Sequence, residues 1–137
     1  MAKTRFEQLR VYRLSEQLAD AIWNAVWSWD RLARDTVGKQ LIRSADSIGA
    51  NIAEGTGRGA YRDNRRFVRV ARGSLNETQH WLRRAFVRKL LTEEQVAVLK
   101  EIVDNLAPQL NSYMKSIGAV EARLDVAKPE SGESREA

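Results

Sequence analysis

Arginine is the residue type whose number and spacing point most clearly to chemistry in this sequence. Positions 58–89 hold nine arginines and one lysine against only Asp63 and Glu77, a net charge of +8. At 100° per residue, six of these arginines fall within an arc of about 120° of one helix. They are Arg58, Arg62, Arg65, Arg66, Arg69 and Arg72, and Arg83 and Arg84 return to the same side further along. Because guanidinium groups bind phosphate in bidentate fashion, this basic face indicates a polyanion, chiefly nucleic acid.

Two other roles for the basic face stay open. It can form salt bridges with acids of a neighbouring subunit, or it can be solvated surface without a partner. With so few acids nearby, much of the charge is left for other molecules. Tyr61 is the nearest exposed aromatic candidate, so we expect contacts to phosphate rather than base recognition.

Catalysis and metal binding find little support. The chain has no cysteine and one histidine, His80, so a metal or general-base site would lack partner residues. Glu54 and Glu77 would need two histidines to form a di-iron site, and structural roles are favoured for both. The glycine-rich run at 55–59 follows a helix and lacks the ending of a P-loop, which favours a helix end and turn. We therefore expect no enzyme, no cofactor and no metal.

Hydrophobic periodicity predicts an all-α, antiparallel up-down four-helix bundle, with helices at about 7–29, 37–54, 60–89 and 93–117. The buried face of the third helix is expected to include Phe67, Val70 and Leu75. A turn is expected at 30–38 from Asp35, Thr36 and Gly38, an N-cap at Thr92, and a kink at Pro108.

The sequence divides into a bundle domain, 1–118, and a charged C-terminal tail, 119–137, for which we expect disorder. No secretory signal or membrane-spanning run is evident, and cysteine is missing, so a cytoplasmic protein with no membrane contact is expected.

Aromatic residues lie on two sides of the first helix. Tyr12, Trp23 and Trp27 stand nearly opposite the apolar stripe that contains Leu18 and Ile22. A monomeric bundle cannot bury both sides, so we expect these three residues at a subunit interface. Coverage by a loop or by the tail is the alternative.

Several segments together resemble the four-helix-bundle proteins also called 23S rRNA intervening-sequence proteins. They are QLIRSA at 40–45, SI at 47–48, NIAEG at 51–55, RF at 66–67 and ARGSLNE at 71–77. The resemblance covers about 6–117. It implies a small bacterial four-helix bundle that assembles as a cyclic homo-oligomer, typically a homopentamer, and it settles the fold far better than the function.

Two functions follow from the basic face and the resemblance together. The first is a non-enzymatic homo-oligomer that binds nucleic acid, RNA being favoured, through the eight arginines of the basic face. The second is a ring-shaped adaptor for a protein partner. A related fold occurs in the accessory protein of diversity-generating retroelements, a basic pentamer that works with a reverse transcriptase and RNA.

Overall fold

Four long helices make up the protein. The structure is a computed structural model that describes residues 5–127, apart from the side chains of Asp125 and Ala127. The helices are α1 (Arg10–Trp27), α2 (Lys39–Thr56), α3 (Tyr61–Val87) and α4 (Glu93–Ala127), and the described residues contain no strand. A 3₁₀ turn at Phe6–Gln8 precedes α1, and two helical turns, Arg31–Ala33 and Arg34–Gly38, lead directly into α2. The prediction of an all-α fold with four helices is confirmed.

The core lies between all four helices. Each helix packs against its neighbours in the chain, and α1 also packs against α4. Apolar residues at helical spacing supply the core, and the largest fully buried side chains include Leu18, Ile22, Leu41, Ile48, Ile52, Leu75, Leu106 and Leu110. Full burial of one such side chain contributes about 1.5–3 kcal/mol. The amphipathic pattern therefore determines which face of each helix is left for other contacts.

The break between α1 and α2 is shorter than predicted. Asp30 begins the first helical turn, because its Oδ1 accepts a hydrogen bond of 2.9 Å from the Ala33 N–H. The expected turn at 30–38 is therefore wrong, since Asp35 and Thr36 already lie in helical backbone. Gly38 serves packing instead, as a Cβ there would lie 2.6 Å from Val26 Cγ1.

Both ends of α4 can be compared with the prediction. At its start the N-cap at Thr92 is confirmed: Thr92 Oγ1 accepts from the Gln95 N–H at 3.1 Å, and the Gln95 side chain accepts from the Thr92 N–H at 2.9 Å. The expected end near Ile117 is wrong, because α4 continues to Ala127. Ile117 is buried and Glu121 reaches back to α3, so contacts hold this extension on the bundle.

Two predictions about α4 remain. The helix stays helical through Pro108, and a kink there remains a prediction. Of the predicted tail, 119–127 belong to α4 and 128–137 lie outside the described residues. None of the helices within 5–127 combines the length and the apolar character needed to cross a membrane.

Candidate nucleic-acid interface

The inner face of α3 determines which arginines point outward. Val68, Ala71, Leu75 and Thr78 are buried at a spacing of three and four residues. The prediction that Val70 is buried is wrong: its side chain is 49% exposed, and Val68 takes its place in the core. The true centre of the inner face lies close to Ala71 and Leu75, about 100° of helix rotation from Val70.

Besides Arg72, whose partner is an asparagine, four arginines of α3 have no acidic partner among residues 5–127. Arg62, Arg69 and Arg83 are exposed and Arg84 is half-buried. Within 5–127, no carboxylate oxygen lies within 4.0 Å of these four guanidinium groups. We use the name outer face of α3 for the outward line that holds Arg62, Arg66, Arg69, Gly73, Asn76, His80 and Arg83, all of them exposed.

Arg58 and Arg66 both lie close to one aromatic ring near the start of α3. Arg58 forms an ion pair of 2.7 Å with Glu54, and its guanidinium carbon lies 4.8 Å from the Phe67 ring centroid. Arg66 lies 5.4 Å from the same centroid and 3.9 Å from Asp63 Oδ1, a separation too long for a hydrogen bond. Both remain exposed, so their surface ion pairs are weak and leave them accessible to phosphate.

Arg65 and Arg72 turn toward α4. Arg65 Nη1 lies 3.0 Å from Glu121 Oε2, and the Glu121 side chain is only 24% exposed. The pair meets the distance of an ion pair but not the angles of a hydrogen bond. Arg72 Nη1 donates to Asn111 Oδ1 at 3.4 Å. These two predicted phosphate contacts are therefore held by the chain itself, more firmly for Arg65 than for Arg72.

Small polar residues line the contact between α2 and α3. We name this contact the α2–α3 seam and define it by Arg43, Ser44, Ser47, Asn51 and Gly55 of α2 with Asn64, Ser74, Glu77 and Thr78 of α3. Thr78 Oγ1 lies 3.0 Å from Ser44 Oγ, and Ser47 Oγ lies 2.9 Å from Ser74 Oγ. Asn51 Nδ2 donates to the Ser47 hydroxyl at 3.0 Å. Buried hydroxyl groups thus satisfy one another across the seam.

Glu77 has a structural role in this seam. Its carboxylate accepts from the Arg43 guanidinium and, at 3.1 Å, from the Trp81 indole N–H. His80, one residue before Trp81, is exposed and contacts that indole edge-on, with ring centroids 4.7 Å apart. The part of the chain that the structure describes holds no group of three or more His, Asp or Glu side chains placed to bind a metal ion.

Gly55 marks a close approach of the two helices. A Cβ at this position would lie 2.6 Å from Asn64 Oδ1 and 3.1 Å from Phe67 Cβ. The segments that suggested the family resemblance therefore meet across the seam. NIAEG meets RF through Gly55 and Phe67, whereas ARGSLNE meets QLIRSA and SI through Glu77 and Ser74. These contacts position α3, and Arg66, Gly73 and Asn76 of the same segments lie on its outer face.

The three aromatic residues predicted at a subunit interface have different surroundings. Tyr12 is half-buried, and the ring of Phe6 from the N-terminal turn packs edge-on against it at 4.9 Å. Trp23 and Trp27 are 51% and 67% exposed and stack on each other, with centroids 6.2 Å apart. Contacts within the chain therefore cover much of the Tyr12 ring, whereas the rings of Trp23 and Trp27 stay exposed.

An acidic groove between α1 and α2 is a feature that sequence analysis missed. A cavity of about 200 Å³ is lined by Tyr12, Glu16, Asp20 and Asp46 among others. Burial and the nearby Asp20 carboxylate raise the pKa of Asp46 above its ordinary range. Burial and Glu16 raise the pKa of Tyr12 in the same way. Acids thus gather on α1 and α2, away from the outer face of α3.

Comparison with known proteins agrees with this architecture. A solved structure of a protein of unknown function from the S23 ribosomal protein family of Bacteroides thetaiotaomicron VPI-5482 superposes with a TM-score of 0.67 at 26% sequence identity. The match covers 77% of this chain and 98% of that one. No curated protein matches the sequence. The family model described as 23S rRNA-intervening sequence protein matches residues 7–112, well over half of the chain. The four-helix fold, the motif segments that meet in the α2–α3 seam and this match agree: the chain belongs to the 23S rRNA-intervening sequence protein family.

Proposed function

We propose that the protein is a non-enzymatic, cytoplasmic nucleic-acid-binding protein, with RNA as the favoured partner, and that the outer face of α3 contacts phosphates. One observation carries the proposal. Arg62, Arg69 and Arg83 are exposed and have no carboxylate within 4.0 Å among residues 5–127, although the chain holds 18 acidic residues in all. Cations grouped on one helix face create a field that attracts polyanions.

The contributions of the eight predicted arginines are not equal. Arg62, Arg66 and Arg69 have at most one weak acidic contact each and form the centre of the proposed site. Arg58, Arg83 and Arg84 extend it at the two ends of α3. Arg65 and Arg72 contribute less, since the chain already holds them with Glu121 and Asn111.

Assembly is the second part of the proposal. We propose an antiparallel up-down bundle that forms a cyclic homo-oligomer, a pentamer by resemblance to the family, with Trp23 and Trp27 at the interface and Tyr12 at its edge. The exposed tryptophan stack supports this, because a pair of indoles left in water is unusual in a monomer. A ring repeats each basic face and multiplies a weak single-site contact.

Binding to labelled RNA across a salt series tests the first part. Fluorescence anisotropy would compare structured RNA, single-stranded RNA and duplex DNA, with the wild type and an Arg62→Ala, Arg66→Ala, Arg69→Ala variant. Log K should fall linearly with log salt, by about 0.7–0.9 for each phosphate neutralised, and the triple variant should bind weakly with a shallower slope. A matched control removes three cations elsewhere, Arg10→Ala, Arg31→Ala and Lys39→Ala, and should keep most of the affinity.

Native mass spectrometry tests the second part. Trp23→Ala with Trp27→Ala should dissociate the oligomer, whereas Phe86→Ala, an exposed aromatic of α3, should not. A wild type that is monomeric at micromolar concentration would remove the ring from the proposal.

The adaptor function is the second candidate, and one groove favours it. Between α3 and α4, a cavity of about 570 Å³ has apolar walls that include Leu82, Phe86 and Val103, with Arg83 and Lys100 also lining it. Such a surface suits a protein segment, for example from a reverse transcriptase. If the intact oligomer fails to bind RNA at low salt, the arginines serve protein contacts and the adaptor becomes the better proposal.

A further inference from the structure

Gly73 lies at the middle of the outer face of α3. It continues the line of Arg66 and Arg69 toward Asn76 and His80, at the spacing of four and three residues that keeps side chains on one side of a helix. All five of these residues are exposed. The most outward position of α3 therefore presents backbone atoms without a side chain.

Nothing within the described chain explains this glycine. A Cβ built at Gly73 has no heavy atom within 4 Å, and no described glycine has a positive φ. Glycine is nevertheless among the least favourable residues in a helix interior. Gly38, Gly49 and Gly55 differ, because a Cβ at each would lie within 2.6–2.9 Å of a neighbour. Close approach accounts for those three, whereas no described residue approaches Gly73.

The charge around Gly73 indicates which class of molecule suits this position. Arg69 on one side and Arg83 on the other have no carboxylate within 4.0 Å in the described part of the molecule. The line between them holds Asn76 and His80 and no large apolar side chain, so it lacks the surface that packs one protein helix on another. Phosphate oxygens and sugars suit a bare backbone flanked by guanidinium groups.

Spacing along α3 indicates how a strand would lie. Arg69 and Arg83 are separated by about 21 Å along the helix axis at 1.5 Å per residue. A strand running along α3 would meet no arginine on the outer face over that distance. A strand crossing the helix near Gly73 meets backbone without a side chain there, with Arg69 about 6 Å away along the axis on one side and Arg83 about 15 Å away on the other.

We propose that a nucleic-acid backbone crosses α3 at Gly73, in van der Waals contact with the helix, with Arg66 and Arg69 on one side and Arg83 on the other. This rests on the proposed function and adds the place and the direction of the contact. The missing side chain thus lets the backbone of the nucleic acid approach the backbone of the protein.

A Gly73→Ala variant tests the contact, because its two expected effects have opposite signs. The thermal midpoint should rise, since alanine favours the helix and its Cβ meets nothing in the chain. The affinity for RNA should fall about tenfold, because the methyl group occupies the contact. The salt slope should stay unchanged, since no phosphate contact is removed, whereas the triple arginine variant lowers it.

Gln79→Ala is the matched control. It is an exposed residue of α3 outside the outer face, so its affinity should stay within about twofold of the wild type. If Gly73→Ala binds as tightly as the wild type while the triple arginine variant does not bind, the crossing is wrong and the proposed function stands. If the wild type itself does not bind RNA, both fail. A Gly73→Ala variant that loses oligomer mass in native mass spectrometry would also overturn the inference, by placing a second copy of the chain at Gly73.

Discussion

Polar side chains have bonding partners on one face of α3 and lie in solvent on the other. On the face toward α2, Ser74, Glu77 and Thr78 all bond to residues of α2, and Thr78 is fully buried. On the outer face, Arg62 and Arg69 are exposed and have no acidic partner among residues 5–127. Polar groups that are satisfied inside the chain build the fold, whereas those left in water are available for a partner.

This difference separates fold from function within one helix. Part of each segment that carries the family resemblance lies in the α2–α3 seam, where polar groups satisfy one another and the helices come close. Arg66, Gly73 and Asn76 of these segments lie on the outer face instead. Membership of the family therefore accounts for how α3 is positioned. The outer face must be tested by itself.

Substitution of two helix glycines, one in the α2–α3 seam and one on the outer face of α3, should give the largest contrast in stability. Gly55→Ala should lower the free energy of unfolding by about 1–3 kcal/mol, because its Cβ would overlap Asn64 and Phe67 across the seam. Gly73→Ala on the outer face should instead raise it, by up to about 1 kcal/mol. Urea unfolding followed by circular dichroism measures both, and two changes of the same sign would contradict the contrast.

A buried hydroxyl of the seam should have the next largest effect. Thr78→Val keeps the shape of the side chain and removes an oxygen that lies 3.0 Å from Ser44 Oγ and 2.8 Å from the Ser74 carbonyl oxygen. The free energy of unfolding should fall by about 1 kcal/mol. Thr36→Val removes an exposed hydroxyl from a helical turn and serves as the control, with a smaller expected loss of unfolding free energy. Equal losses would mean that burial adds nothing to this bond.

Glu121 offers a test on the side of α3 that faces α4. Glu121→Gln should release Arg65 and raise the affinity for RNA about two- to threefold, with a salt slope steeper by at most about 0.9. Glu101→Gln removes the same charge from an exposed position elsewhere on α4 and controls for the change in net charge. If both variants gain affinity equally, net charge explains the gain and the released arginine does not.

The acidic groove between α1 and α2 should give the smallest effect, and one that depends on pH. The raised pKa of Asp46 means that the folded protein binds this proton more tightly than the unfolded chain does. Its contribution to stability is thus largest below the ordinary value of 3.8 and is lost as pH rises through the raised value.

Asp46→Asn should therefore be slightly more stable than the wild type at pH 7, and the difference should vanish below about pH 4. Thermal unfolding at several pH values measures it, with Glu101→Gln as the control carboxylate. A variant less stable than the wild type at pH 7 would show that the Asp46 carboxylate makes a favourable contact.

Helical periodicity predicted most of this fold from the sequence. The four helices, the capping residue Thr92 and most core positions follow from local pattern, although Val11, Val26 and Val68 were not expected in the core. The errors at 30–38 and at Val70 have local causes, whereas the end of α4 was predicted wrongly because distant contacts decide it. The extension of α4 beyond Ile117 depends on burial and on Glu121 meeting Arg65, 56 positions earlier in the numbering.

Local pattern was likewise insufficient to predict contacts between helices at the candidate site. Charge and spacing predicted an arginine face on α3, but not which arginines are already held. Arg72 meets Asn111, and Arg65 meets Glu121, through packing of α3 on α4 that no local pattern reveals. The acidic groove was missed because Glu16, Asp20 and Asp46 come from two helices and meet only in the folded chain.

The tryptophan stack on α1 provides an intrinsic spectroscopic signal in the unlabelled protein. Trp23 and Trp27 are nearly parallel, at 17° and 6.2 Å, so their electronic transitions couple and contribute a signal in near-ultraviolet circular dichroism. Their exposed rings emit at long wavelength and are open to quenching by acrylamide, unlike the buried Trp29. A subunit that covers α1 would shift this emission to shorter wavelength. A ligand on α3, which does not pack against α1 within residues 5–127, would leave it unchanged. In a Trp81→Phe variant, which removes the tryptophan of α3 that contacts His80, fluorescence therefore distinguishes assembly from ligand binding without any added label.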